Sequence, residues 1–234
     1  MESSVGSSGG SSEGSSEGSS VGSSEESSGG SSGGSSEESN SEGTMNLLFI
    51  DLETTGLFCD RHAILDLCMV ETTRKGEEVW RVNSKIKPTK YQLELADEKA
   101  LQVNWYSEEK WKDAREFYRV ADEISDQLKK KDKKVIPIGW NVTFDIGFIN
   151  QRMLLQPWLY HHPLDLMSMV WHEDVCVVYD QTVKYWQGQI IEERPSLSKA
   201  YRMVTGKEMV NSHSAEGDVN ACIEIYMQLL AMRC

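Results

Sequence analysis

Residues 46–56 read N-L-L-F-I-D-L-E-T-T-G. Leu47, Leu48, Phe49 and Ile50 form a continuous apolar run, the pattern of a strand buried on both faces. Asp51 and Glu53 interrupt it at a spacing of two. In a strand, residues i and i+2 project from the same face. Both carboxylates therefore point to one side at the end of a buried strand. Two like charges that close repel unless a cation lies between them. Thr54, Thr55 and Gly56 then supply turn chemistry. The pair reads either as half of an oxygen-ligand site for Mg²⁺ or Mn²⁺ or as a strand end that happens to carry two acids.

Outward from this stretch the 234-residue chain divides in two. Residues 1–44 are almost entirely Ser, Gly and Glu, and bury too little apolar surface to offset backbone ordering, so they read as a disordered tail. They lack the basic start and apolar core of a signal peptide. They hold eight Glu and no Lys or Arg, so they carry −8 of the net −13, and residues 45–234 carry −5. The latter are long enough for one sizeable core. Their acidity excludes a protein that holds nucleic acid by charge alone. The five Cys (59, 68, 176, 222 and 234) are odd in number and show no C-x-x-C spacing. That argues against a disulfide framework or structural zinc and for a reducing, cytoplasmic setting. No apolar stretch is long enough to span a membrane.

In chain order, residues 63–70 and 78–87 read as two strands of an antiparallel hairpin, the second stopped by Pro88. Residues 97–101 read as a turn or two of helix. Ser107 reads as a helix N-cap with Glu108 and Glu109 behind it. Residues 113–130 read as a helix with Phe117, Val120, Ile124 and Leu128 on one face. The lysines at 129, 130, 131, 133 and 134 read as a solvated helix end or a phosphate-contact patch. Residues 135–139 form a short apolar strand, followed by a buried helix from about Thr143. Asp145 near the start of that helix caps it or faces a cation. Asn141 locks the strand-to-helix turn or meets a ligand. Residues 164–171 open as a strand and continue as a helix. His161, His162 and His172 read as surface or packing residues. Residues 179–193 read as a hairpin or loop. Ser196 caps a helix that Gly206 ends near Thr205. Residues 213–230 carry His213 in a loop and Asp218 at the start of a buried helix.

Three segments then stand together: F-I-D-L-E-T-T-G, N-V-T-F-D-I-G-F (141–148) and H-S-A-E-G-D (213–218). They resemble, in order and interval, the three motifs of the DEDDh family, the DnaQ-like 3′-to-5′ exonucleases. The similarity covers residues 46–230 and extends toward the proofreading exonuclease of bacterial DNA polymerase III. It implies an RNase H-like α/β fold, a five-stranded mixed sheet flanked by helices. By the same resemblance Asp51, Glu53, Asp145 and Asp218 match the catalytic metal-binding carboxylates, and His213 the general base. The H-x-x-x-x-D spacing marks the His subclass. The implied cofactors are two divalent ions, Mg²⁺ or Mn²⁺, about 3.5–4 Å apart across an in-line phosphoryl displacement. A histidine titrates near neutrality, about 6.5, and suits proton removal from the attacking water. Thr54, Leu57 and Asn141 fall where the family contacts the terminal nucleotide. Trp105, Tyr106 and Trp140 are candidates for base stacking or core packing. The implied partners are the 3′ end of single-stranded DNA or RNA and a DNA polymerase, in proofreading or repair. The alternatives are an RNA-trimming ribonuclease, whose D-x-E-M-T-G differs from D-L-E-T-T-G here, and a non-catalytic module that binds nucleic acid or a polymerase.

Overall fold

The computed structural model describes residues 44–171 and 196–232. The readings for the tail up to residue 43, for His172 and for 179–193 lie outside the described residues.

Strand β1 (Leu47–Thr54) lies at the centre of a five-stranded sheet. It pairs antiparallel with β2 (Ile64–Thr72), which pairs antiparallel with β3 (Glu78–Lys85). On its other side it runs parallel to β4 (Ile136–Gly139), which runs parallel to the short β5 (Leu164–Asp165). The order is β3-β2-β1-β4-β5, the mixed sheet that the resemblance implies. Helices cover both faces, so β1 is apolar on both, as parallel-paired central strands must be. Leu48, Ile50 and Leu52 pack toward α3 (Phe117–Lys129) and α4 (Thr143–Arg152). Leu47 and Phe49 pack toward α5 (Leu166–Trp171), α6 (Leu197–Thr205) and α7 (Ala215–Ala231). The alternation continues past Phe49, so Asp51 and Glu53 extend the row that faces α7.

Helix α3 buries Val120, Ile124 and Leu128 completely, each contributing roughly 1.5–3 kcal/mol. It starts at Phe117, four residues later than the sequence pattern predicts, because the preceding residues pair with the sheet edge. The Arg115 N–H donates to the Lys85 carbonyl, and the Lys87 N–H to the Arg115 carbonyl. Ser107 likewise caps a run of turns and not a helix, its Oγ accepting the Lys110 N–H at 3.3 Å. Trp111 holds that segment down: its indole N–H donates to the Leu65 carbonyl at 2.8 Å, and the residue is buried.

Two short helices lead into the groove beside β1. Helix α1 (Lys90–Glu94) is set by a capping box, Thr89 and Gln92 each bonding the other's backbone N–H. Helix α2 (Glu98–Val103) covers the expected 97–101 turn. Helix α6 has the expected caps, Ser196 accepting the Lys199 N–H and Gly206 ending it at φ 72. Of the basic run, Lys131 is structural. Its Nζ lies 3.0 Å from the fully buried Glu71, which also accepts from Asn46 and Trp80.

Candidate active site

Three segments distant in sequence bring carboxylates to the C-terminal end of β1. Asp51 and Glu53 are partly buried there, and Asp218 enters from the first turn of α7. One oxygen from each of the three lies within 4.8 Å of the others. Asp145, in the first turn of α4, is 3% exposed. Its Oδ1 accepts the Leu52 N–H at 3.0 Å, which ties α4 to the strand between the two β1 acids. The structure therefore groups Asp51, Glu53 and Asp218 tightly. It places Asp145 behind them as a hydrogen-bonded carboxylate whose charge still acts on Asp51.

Among the described residues no lysine or arginine forms an ion pair with these four carboxylates. Burial pushes the Glu53 carboxyl up to about 8, with Asp218 and Asp66 adding to the shift. Burial likewise raises Asp218 to about 6, although the neighbouring His213 imidazole and backbone N–H pull it back. Asp51 and Asp145 are raised by burial and by the other acids, while the Leu52 N–H and its own backbone N–H pull Asp145 down. The Oδ1 of Asp218 is buried with no hydrogen-bond partner among the described residues. A buried, unpaired acceptor inside a ring of acids is a ligand position for a cation. The donor set is entirely oxygen, which suits a hard divalent ion such as Mg²⁺ or Mn²⁺. The residues present fit the implied metal.

His213 is exposed, on the loop before α7, at φ 63. Ser214 locks that loop: its Oγ caps α7 by accepting the Gly217 N–H and donates to the Asn211 carbonyl. Gly217 permits the close fold, since a Cβ there would lie 2.2 Å from the Asn211 carbonyl oxygen. The glycine in H-S-A-E-G-D thus holds His213 near the acids.

Thr54 and Leu57 line a groove of about 670 Å³ with Phe144 and Val103. Leu57 is 74% exposed over it. Thr54 is buried, its hydroxyl donating to the Gly56 carbonyl and its carbonyl accepting from the Asn104 amide. Asn141 lines neither this groove nor the smaller cavity beside Glu53. It takes φ 58, and its backbone N–H donates to Asp165, so the turn is locked through the main chain. Trp140 packs on the core, whereas Trp105 is exposed at the smaller cavity.

One acid escaped the sequence reading. Asp66 on β2 sits opposite Glu53 in the antiparallel register, and such pairs share a face. The signal was a lone Asp in the apolar run I-L-D-L-C-M-V.

The sequence profile of the exonuclease family RNase_T matches residues 48–226. This chain belongs to the DnaQ-like exonuclease family. The exonuclease has the RNase H-like fold of that family, and about four-fifths of the chain superposes on exonuclease I. The zinc-bound complex of Escherichia coli exonuclease I with single-stranded DNA superposes with a TM-score of 0.60 at 21% identity, over 81% of this chain and 41% of that one. The E. coli enzyme with a dT13 oligonucleotide gives 0.57 at 19%, over 81% and 42%. A product-bound exonuclease I gives 0.58 at 18%, over 80% and 43%. The chain spans about two-fifths of the length of these structures. No curated protein sequence matches it.

Proposed function

We propose that this exonuclease removes nucleotides one at a time from the 3′ end of single-stranded DNA, using two divalent ions, Mg²⁺ or Mn²⁺. The observation that carries the reading is the Asp51–Glu53–Asp218 cluster, together with the buried Asp218 Oδ1 that has no hydrogen-bond partner among the described residues. Those three residues and Asp145 would hold the metal ions, which would supply charge neutralisation to an in-line phosphodiester displacement. His213 is the general base, taking the proton of the attacking water on a ring nitrogen. The apolar groove at Leu57 and Phe144 receives the terminal nucleotide, and the main chain around Thr54 faces its 3′ end. Asn141 supports that groove through its turn. Exonuclease I bound to oligonucleotides supports the choice of single-stranded DNA, and D-L-E-T-T-G favours the proofreading-like branch over RNA trimming. Proofreading or repair, with a polymerase as partner, is the setting this substrate suits. A reducing, cytoplasmic setting is part of this proposal, and the buried free thiols Cys68 and Cys222 are compatible with it.

The test is a time course on a 5′-labelled single-stranded DNA oligonucleotide with Mg²⁺, beside the same sequence as RNA. Wild type is compared with Asp51→Ala and with EDTA. Stepwise shortening of DNA from the 3′ end, lost in the variant and in EDTA, is expected. Preferential shortening of RNA would reassign the substrate. Tight binding without shortening of either strand would replace the enzyme with a binding module.

A further inference from the structure

Helix α2 ends in a left-handed turn that a tryptophan occupies. Trp105 has φ 51. Its N–H bonds the Gln102 carbonyl at 3.1 Å, and the Tyr106 N–H bonds the Leu101 carbonyl at 2.9 Å. This doubly bonded helix stop normally places glycine, or sometimes asparagine, at the left-handed position, because a Cβ crowds the following carbonyl. A bulky residue there is strained. Burial does not offset the strain, since Trp105 is 69% exposed. The fold gains nothing from this side chain that glycine would not supply better.

Its surroundings account for it. The ring lines a cavity of about 160 Å³ with Glu53 and His213, the same two groups assigned to the reaction. Two cations, Lys85 and Lys110, line that cavity, and the Lys85 charge acts on the Asp66 carboxylate. The Lys110 Nζ lies 5.9 Å from the Trp105 ring centroid and 3.4 Å from the Trp105 carbonyl. The Lys85 Nζ lies 3.9 Å from the centroid of Trp111, which its bond to Leu65 holds in place. The cavity and the Leu57 groove meet at Glu53 and Asn104. An exposed indole in a cavity that two lysines also line, next to the reacting groups, matches a polyanion with flat bases. Aromatic stacking of this kind tolerates any sequence, because every base has a π-face.

We infer that Trp105 is a substrate-binding residue of the exonuclease, its indole stacked on a base of the bound strand while Lys85 and Lys110 face the strand's phosphates. The inference rests on the 3′-end exonuclease reading above and extends its site beyond the Leu57 groove. The strained turn holds the ring at the site, and strain is tolerated where it positions a functional side chain.

The experiment compares wild type with Trp105→Ala, Trp105→Gly and Trp105→Phe on a labelled poly-dT strand. An abasic residue is placed in turn at each of the last three positions. Trp105→Ala is expected to lower kcat/KM by about five- to a hundred-fold, mainly through KM. That penalty vanishes at the one position where the wild type has already lost its stacked base, the non-additivity that marks a direct contact. Phenylalanine restores most of the loss. Trp105→Gly shows the penalty of the alanine variant while melting above wild type, which a merely structural tryptophan would not do. An active wild type with an unimpaired Trp105→Ala, or a penalty equal at every abasic position, would overturn the inference alone. A wild type that leaves the unmodified strand intact would overturn the exonuclease reading and this inference with it.

Discussion

Glu53→Gln is expected to stabilise the metal-free protein and to abolish its response to Mg²⁺. The Glu53 carboxyl titrates at about 8 in the fold, against 4.5 when unburied. The folded chain therefore keeps a proton that the unfolded chain releases. The sign follows: this group's stabilising contribution is fully present below about 4.5 and drains away as pH climbs toward 8. At about 1.4 kcal/mol per pH unit, that interval amounts to about 5 kcal/mol by pH 8. Asp218 and Asp66 contribute to the shift and relax once Glu53 is neutral, and the side chain is only partly buried, so about 2 kcal/mol is the expected net gain. For a domain of this size that corresponds to a rise in Tm of about 4–8 °C. The assay is thermal unfolding of both proteins in EDTA across that pH range, then in excess Mg²⁺. The two curves should coincide near the acid end and separate toward pH 8, with the glutamine variant the more stable. Added Mg²⁺ should raise the wild type strongly and the variant little. A variant that melts at or below wild type at pH 8 in EDTA, or a gap that is the same at every pH, would refute the reasoning.

Three further outcomes are expected. His213→Gln should lower kcat by about 10²- to 10⁴-fold with little change in melting temperature, since the side chain is exposed; steady-state kinetics beside a melt checks both. Ile124→Ala, in the fully buried stripe of α3, should cost about 2–5 kcal/mol, read by urea unfolding, and should leave the kcat of the folded fraction unchanged. Lys131→Met should destabilise by about 1–3 kcal/mol, because Glu71 is fully buried and keeps only its Asn46 and Trp80 donors; Lys130→Met, at the neighbouring exposed position, should be neutral in the same assay.

The sheet was legible wherever apolar runs were long and turn residues sharp. That held for β1, for the hairpin of β2 and β3, and for β4, and even the strand-to-helix change at residues 164–171 was readable. Caps were legible too, through the side-chain oxygen of Ser196 and the left-handed backbone that Gly206 allows. Misreadings came where tertiary contacts overrode local pattern. Residues 113–116 have helical spacing, yet Arg115 pairs with Lys85 and Lys87 on the sheet edge. Ser107 has cap chemistry, yet Trp111 pins its segment to Leu65. The capping box at Thr89 and Gln92 went unread, because too few apolar residues follow it to mark a helix. At the site, Asp51, Glu53 and Asp218 were legible from spacing and resemblance. The hydrogen bond from Leu52 to Asp145 and the placement of Asp66 were not, because each depends on pairing between distant segments. Trp105 was legible as an aromatic residue, whereas its left-handed backbone was not.

The bond from the Leu52 N–H to Asp145, spanning 93 residues, makes the site a test of assembly. A one-residue slip of β1 would turn Asp51 and Glu53 to the opposite face and would move Leu52 away from α4. Asp218 arrives only once α7 has docked. On the proposed function, a chain in any incomplete or misregistered state therefore holds scattered acids and no working nuclease, and the fold itself acts as the safety catch.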